Sequence, residues 1–364
     1  STQGYSSAAS DVYKRQAMGT TVTIGHSVGA KCMEQAEKII GNTITLFMGI
    51  AVAFTVILVV LVKPIVVLIA TPQEAVAGTS VYLLICFIGI PFITAYNIIS
   101  SIFRGLGDSK SPMYFIGIAC VMNIALDYLF MGAFHMGAAG AALGTVCAQT
   151  FSVLVALWVI RRRKTGISLK KNDFKIERAV IGQVLKIGIP VALQDGFIQV
   201  AFMIITVIAN SRGVSDAAAV GVVEKVISAL FIVPSSMLAT VSALSAQNLG
   251  AGKEKRATDT LRYATVITTI YGMIVAVLIQ FIAENVVGIF TSDTTVVTMG
   301  SAYIRSYIWD CIFAGIHFSF SGYFAACGKS YIGFLHNIIS ITFVRVPGSY
   351  LASKYFTDTL YPMG

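Results

Sequence analysis

Long apolar runs separated by short polar loops form the main pattern along the chain. All but the first are long enough for an α-helix to cross a bilayer, which takes about 20 residues. The runs lie at about 17–28, 39–70, 77–102, 113–133, 138–160, 180–209, 217–247, 260–290, 297–326 and 331–353. They predict an all-α polytopic membrane protein with about ten membrane helices, of which the first is partial.

Composition and charge support this class. The 364 residues are 56% hydrophobic and 12% charged, whereas soluble domains average about 25% charged residues. The net charge of +9 does not indicate a nucleic-acid partner, because the basic residues fall in short loops between apolar runs. We expect the partners to be the lipid bilayer and a small molecule.

The polar residues show no pattern typical of an enzyme or a metal site. The six cysteines have no CxxC spacing, and the four histidines are scattered. Gly328-Lys329-Ser330 lacks the upstream glycine of a phosphate-binding loop. We therefore expect no enzymatic activity, no cofactor and no use of ATP by this chain alone.

Lysine and arginine alternate from loop to loop and so predict the orientation. Cytoplasmic loops of membrane proteins are enriched in these residues. The basic loops contain Lys31 and Lys38, Arg104 and Lys110, the linker 161–178, Lys253, Lys255 and Arg256, and Lys329. We expect these loops to be cytoplasmic. Lys63 and Arg212 are exceptions to the alternation.

Two glycine loops recur at a fixed distance and indicate an internal repeat. Gly29 and Gly107 are 78 residues apart, as are Gly250 and Gly328, so that the two pairs differ by an offset of 221. Because both copies place the loops on the cytoplasmic side, we predict a parallel repeat with its axis along the membrane normal. The chain would then form two pseudo-symmetric helical lobes.

Asp127 is the only acidic or basic side chain in the apolar run 113–133. A charged group at the bilayer centre costs roughly 2.5–3.5 kcal/mol on insertion scales, so such residues usually face a cavity and have a function. Asn123 precedes Asp127 by one helical turn and shares its face, and Thr145 lies in the next run. These oxygens could converge. The alternative is a single buried acid hydrogen-bonded to a neighbouring helix.

Several motifs resemble the multidrug and toxic-compound extrusion (MATE) transporters, in particular the bacterial DinF-like branch. They are AQNLGAGKEKRA at 246–257, GIPVALQD at 188–195, AVGVVEKV at 219–226, FRGLGDSKSPM at 103–113 and NIALD at 123–127. The resemblance implies two six-helix lobes related by pseudo-twofold symmetry, with a central cavity open to one side at a time.

That family pattern gives the expected domain organisation. Residues 1–16 are polar and look like translated adaptor sequence, so we treat them as an artefactual leader. The N-terminal lobe is then 17–160 without its first helix, and the C-terminal lobe is 179–364 without its last. The basic cytoplasmic linker 161–178, with eight Lys/Arg and two acids, joins them. About ten of twelve membrane helices would be present, and the chain would be truncated at both ends.

The resemblance also implies a cation-coupling site in the first lobe. Some prokaryotic members use an asparagine, an aspartate and a threonine, which match Asn123, Asp127 and Thr145 here. These residues would hold H⁺ or Na⁺. An acid on the first helix would complete the site, but this chain lacks the matching segment.

Charged residues in the apolar runs of the second lobe are candidates for a second cavity. They are Asp195, Glu224, Asp310 and Arg345. The alternative is a buried structural network, in which Arg345 or Lys225 neutralises Asp310 or Asp195.

Together these features predict a secondary active antiporter that exports small organic, cationic or amphipathic compounds in exchange for H⁺ or Na⁺. One alternative is a flippase for lipid-linked oligosaccharides with the same fold, which would need a wide cationic cavity. Another is a membrane structural or receptor protein without transport. We expect a monomer in the plasma membrane of a bacterium.

Overall fold

The computed structural model describes residues 17–68, 73–162, 168–356 and 359–363, and nearly all of them are helical. The predicted leader 1–16 and residues 163–167 of the predicted linker lie outside the described residues.

The chain divides into two compact units, and the boundary falls inside one long helix. The first unit is Gly19–Leu185 and the second includes Lys186–Gly364. The helices that begin before this boundary are α1 (Met18–Gly29), α2 (Met33–Val60), α3 (Val62–Leu68), α4 (Gln73–Gly105), α5 (Lys110–Asp127), α6 (Gly137–Arg162) and α7 (Arg178–Arg212). Those that follow are α8 (Val214–Leu230), α9 (Ile232–Gly250), α10 (Glu254–Gly288), α11 (Thr294–Tyr307), α12 (Asp310–Ala326), α13 (Ser330–Ser340) and α14 (Val346–Tyr355).

The described helices group into ten segments, in agreement with the apolar runs. Seven segments are long and apolar enough to cross a membrane. Three predicted runs are broken: 39–70 at Leu61, 217–247 at Phe231, and 297–326 between Tyr307 and Asp310. Pro64 and Pro234 stand three residues after the first two breaks and cannot donate to the carbonyl four residues earlier, whereas no proline marks the third. The all-α membrane fold predicted from the sequence is confirmed.

One π-helical segment ends a membrane helix, and a second interrupts another membrane helix. The first π segment, Tyr128–Ala133, directly follows Asp127, and the second, Ile341–Arg345, ends at Arg345. Such segments add a residue to a helical turn and are frequent at functional sites. Each unit therefore has a charged side chain at the edge of a π segment.

The repeat is visible in the turns that carry the paired glycines. After α4 the amide of Gly107 donates to the Arg104 carbonyl at 3.1 Å, and the Asp108 amide donates to that of Phe103 at 2.9 Å. After α12 the same two bonds recur 221 residues later, ending at Gly328 and Lys329. This pattern closes a helix with one residue in the left-handed region.

The turns after α1 and α9 share this geometry but not the same residue. Gly252 has φ +69°, which suits glycine, whereas Lys31 at the equivalent position has φ +58°. A side chain in the left-handed region costs roughly 1–2 kcal/mol. The first unit therefore keeps a turn that its sequence does not favour.

Small residues let the helices approach closely. A Cβ at Gly105 would lie 2.8 Å from the Cβ of Ile24, and one at Gly322 would lie 2.6 Å from the Leu238 carbonyl oxygen. Close approach of this kind stabilises helix pairs in lipid, where the hydrophobic effect does not drive their association. Large apolar side chains such as Phe281, 80% exposed, cover the outer surface.

The described part of the linker is docked on α2. The Ser168 amide donates to the Glu37 carboxylate at 2.7 Å. The buried Asn42 donates to the Asp173 carbonyl at 3.1 Å and accepts from the Glu177 amide at 2.7 Å. These bonds fix the backbone of a segment that the sequence indicated only as a basic connection.

Arg212 closes the end of the chain in the second unit. Its side chain pairs with Asp216 at 2.6 Å and donates to the carbonyls of Ser353, Phe356 and Thr359 at 3.0–3.3 Å. The guanidinium thus donates to carbonyls in and after the last turn of α14, and Asp216 balances its charge. This explains why Arg212 departs from the loop alternation.

Candidate functional site

The first-unit site lies where α5 meets the first π segment. Asn123 and Asp127 lie one turn apart on α5, and Thr145 lies on α6. The Asn123 amide nitrogen donates to the Thr145 hydroxyl oxygen at 3.4 Å. That hydroxyl donates in turn to the Ala141 carbonyl at 3.0 Å. The structure therefore brings two of the three predicted residues into direct contact.

The Asp127 carboxylate fits into the space left by a glycine on α6. A Cβ at Gly144 would overlap Oδ1 of Asp127. This oxygen is buried and has no hydrogen-bond partner in the described part of the chain. A buried polar atom without a partner is costly, so the site is suited to a proton or a small cation.

The oxygen types at this site fit Na⁺ as well as H⁺. Carboxylate, amide and hydroxyl oxygens are the ligands that hard cations prefer. Asp127 supplies a negative charge that no Lys, Arg or His within the described ranges neutralises by an ion pair. Asn123 and Thr145 could add neutral oxygens. Their role as ion ligands stays a prediction.

The second-unit acid has a cationic neighbour. Asp310 lies in the first turn of α12, and its carboxylate is 3.9 Å from the Arg345 guanidinium. Arg345 also donates to the Tyr307 hydroxyl. Its guanidinium stacks on the rings of Phe202 and Tyr307, at 4.8 and 5.2 Å from their centroids. Arg345 is thus held by one charge and two aromatic faces.

Of the other two second-lobe candidates, Glu224 interacts electrostatically with Arg345, but neither candidate is part of the Asp310–Arg345 ion pair. Glu224 on α8 accepts a hydrogen bond from the Thr206 hydroxyl at 3.3 Å. Asp195 on α7 is only 2% exposed. Neither lines the cavity that Asp310 and Arg345 border.

That cavity has a volume of about 490 Å³ and lies within the second unit. Its wall combines aromatic rings with polar side chains, among them Phe313, His317, His336 and Asn337. The rings of His317 and His336 stack with centroids 4.9 Å apart, and His317 contacts Gln194 at 3.0 Å. A mixed lining of this kind is typical of small-molecule pockets.

Sequence reasoning missed Gly144 and Phe202. Gly144 stands in the small-residue run AAGAALG, next to Thr145, and that position could have indicated a close contact with α5. No signal singled out Phe202. The Tyr307 ring stacks on the Arg345 guanidinium.

Comparison with known proteins identifies the family. The family model MatE matches residues 16–129 and 190–351, more than half of the chain. The chain belongs to the MatE family. The resemblance inferred from the sequence motifs is therefore confirmed.

Curated MatE relatives carry names of drug-resistance proteins. Probable multidrug resistance protein YpnP of Bacillus subtilis is 32% identical over 289 residues, which are 79% of this chain and 64% of YpnP. Probable multidrug resistance protein YoeA of the same organism is 26% identical over 344 residues, 93% of this chain and 74% of YoeA. The chain thus spans about two thirds to three quarters of these relatives.

A solved structure supports the same fold. The outward-facing structure of a multidrug resistance MATE family transporter of the MOP superfamily matches with a TM-score of 0.92. The match covers 99% of this chain and 80% of that one at 19% identity. This MatE chain is a multi-pass membrane protein from a family of transporters, in agreement with the expectation that it is not an enzyme.

Proposed function

We propose that this MatE chain acts as a secondary active antiporter that exports small organic, cationic or amphipathic compounds in exchange for H⁺ or Na⁺. The observation that carries the proposal is the buried Oδ1 of Asp127, which lies between two membrane helices and has no hydrogen-bond partner among the described residues. The names of the relatives support the choice of organic compounds as substrates.

Asp127 is the coupling residue in this proposal. A proton or Na⁺ entering from outside neutralises its carboxylate, and Asn123 and Thr145 hold the ion with neutral oxygens. The carboxylate fills the space at Gly144, so its charge state alters how α5 fits against α6. The adjoining π segment gives α5 a place where it can change shape.

Coupling between ion and substrate follows from linkage. If the ion lowers the affinity for the substrate, the substrate lowers the affinity for the ion by the same factor. Binding of one then favours release of the other, which is the condition for exchange. An ion that bound two arrangements of α5 and α6 equally well would not shift the equilibrium between them.

The flippase alternative is less well supported. It needs a cavity with several uncompensated cations, and the sequence offers Lys225, Arg305 and Arg345. Arg305 pairs with Glu284 at 3.4 Å, and Arg345 faces Asp310. Lys225 is exposed and does not line the cavity.

The test is transport of ethidium by reconstituted protein under an imposed proton or sodium gradient. Asp127→Asn should lower gradient-driven transport at least about tenfold, because the variant cannot carry the coupling charge. Thr145→Val should have a smaller effect, since it removes a neutral oxygen. Glu254→Gln at an exposed position is the matched control and should transport like the parent protein.

Transport by Asp127→Asn at the parent rate under both gradients would show that Asp127 is a structural acid. Absence of ethidium transport by the parent protein, together with movement of a lipid-linked oligosaccharide, would favour the flippase. Absence of both activities would favour a membrane protein without transport.

A further inference from the structure

Residues 168–178, which we call the interfacial segment, run along the first four turns of α2. Besides the bonds to Glu37 and Asn42, the Thr45 hydroxyl donates to the Phe174 carbonyl at 3.0 Å. Thr45 is twelve residues into α2, or about 18 Å along its axis. The apolar run of this helix starts near Ile39. The interfacial segment therefore lies beside the part of α2 that enters the membrane.

Large apolar side chains of the interfacial segment point away from the protein. Leu169, Phe174 and Ile176 are 40%, 38% and 58% exposed. Three such side chains within eight residues are unfavourable in water, but they suit the boundary between headgroups and acyl chains.

The charged side chains of the same segment leave an excess of positive charge outside. Lys170, Lys171, Lys175 and Arg178 are exposed. Of the two acids, Asp173 is buried, and its carboxylate accepts the Lys170 amide at 2.7 Å. Glu177 is the one exposed acid among residues 168–178.

We propose that the interfacial segment binds the headgroups of anionic bilayer lipids. Its apolar side chains insert among the acyl chains, and its lysines contact phosphate groups. Basic residues beside a membrane helix attract anionic lipid within a Debye length of the surface. The hydrogen bonds to α2 hold the backbone of the segment in position before lipid arrives, so little backbone conformational entropy is lost on binding. This proposal does not depend on the transported substrate.

The experiment uses a tryptophan reporter inside the segment. The chain has two tryptophans, Trp158 and Trp309. Phe174→Trp in a protein with Trp158→Phe and Trp309→Phe leaves a single tryptophan in the interfacial segment. The protein is reconstituted with brominated phosphatidylglycerol or brominated phosphatidylcholine, and fluorescence quenching is measured. We expect quenching by both lipids, with preference for phosphatidylglycerol that weakens at high salt.

Two variants, each with three basic residues replaced, then test which residues produce the preference for phosphatidylglycerol. Replacing Lys170, Lys171 and Lys175 by glutamine should lower the preference by roughly fivefold for each lysine at low salt. The control replaces three exposed basic residues of another loop, Lys253, Lys255 and Arg256, by glutamine. It should keep the preference for phosphatidylglycerol.

Absence of quenching by either lipid would show that the segment lies outside the bilayer and would overturn the proposal. Equal quenching by the two lipids in the reporter protein would overturn the selection of anionic headgroups. Equal loss in both triple variants would indicate a general charge effect and would also overturn it. The reporter protein alone decides the first two points, even if a charge variant does not fold.

Discussion

Asp127 in the first unit and Asp310 in the second each lie on a membrane helix beside polar side chains, but the two acids differ in their surroundings. Asp127 lies against Gly144, and its buried oxygen has no partner among the described residues. Asp310 faces Arg345 at 3.9 Å. Of these two carboxylates, only that of Asp127 has no basic partner among the described residues, so that an ion from outside could neutralise it. The comparison indicates that one unit is suited to bind the ion and the other to carry a charge that the protein itself balances.

The repeat did not copy these sites from one unit to the other. With the offset of 221, Asp310 corresponds to Gly89, and the positions around the match of Asp127, residues 347–349, are Pro-Gly-Ser and carry no acid. What the two units share is the hydrogen-bond pattern of four turns. Turns preserve the path of the chain, whereas each site is made by side chains that differ between the units.

The largest effect is expected from removal of the second-unit cation. Arg345→Met leaves Asp310 without its counter-charge. Loss of one partner of a fully buried pair costs about 3–5 kcal/mol, and the Asp310 side chain is 43% exposed. We therefore expect a loss of about 2–3 kcal/mol in the free energy of unfolding. Asp127→Asn should cost less than about 1 kcal/mol, because it breaks no ion pair. Chemical denaturation in detergent measures both.

The double variant Arg345→Met with Asp310→Asn is the control for this difference. It removes both charges and should recover most of the lost stability. If Asp127→Asn were as destabilising as Arg345→Met, the contrast between the units would be wrong.

The next effect concerns the fit of the carboxylate between α5 and α6. Gly144→Ala should lower the free energy of unfolding by about 1–2 kcal/mol, because the added Cβ overlaps Asp127 Oδ1. Adding Asp127→Ala to Gly144→Ala should restore most of the lost free energy of unfolding. Gly117→Ala on α5 is the control, since nothing lies within 4 Å of a Cβ there. Equal losses for the two glycine variants would disprove the fit.

Sodium should stabilise the first unit through Asp127. At ten times its Kd, a bound ion adds about 1.4 kcal/mol to the free energy of unfolding. We expect this increase in the parent protein and in Arg345→Met, but not in Asp127→Asn, in titrations of NaCl against choline chloride. A full response in Asp127→Asn would contradict the site. No response in any of the three proteins would argue against a sodium site at Asp127.

The smallest effect compares two equivalent turns. Lys31→Gly should stabilise the protein by about 0.5–1 kcal/mol, because glycine adopts the left-handed conformation without a steric cost. Gly252→Ala, at the matching position, should destabilise it by a similar amount. Thermal unfolding of both variants measures the pair, and changes of the same sign would argue against equivalent turns.

The sequence predicted the ten helical segments because membrane helices are marked by hydropathy and length. It also predicted the contact between Asn123 and Thr145, since one-turn spacing put the polar groups of α5 on one face. The small-residue run on α6 marks a close contact, but the sequence did not show that the Asp127 carboxylate fills the space at Gly144, and it could not predict the stacking of Arg345. A helix that is apolar on every side gives no periodic signal for the face that meets its neighbour. The break before Asp310 was missed for a related reason, because no proline or glycine marks it.

The two π segments have a consequence for any comparison of the units by residue number. Subtracting 221 places Ile341–Arg345 against residues 120–124, whereas the first π segment begins at Tyr128. Between these points the second unit already contains the extra residue of its π segment, whereas the first unit has not yet reached its own π segment. One residue turns an α-helix by about 100°, so numerically matched side chains there point in different directions. An alignment of the halves without a gap would assign Asp127 a partner that faces another side of its helix.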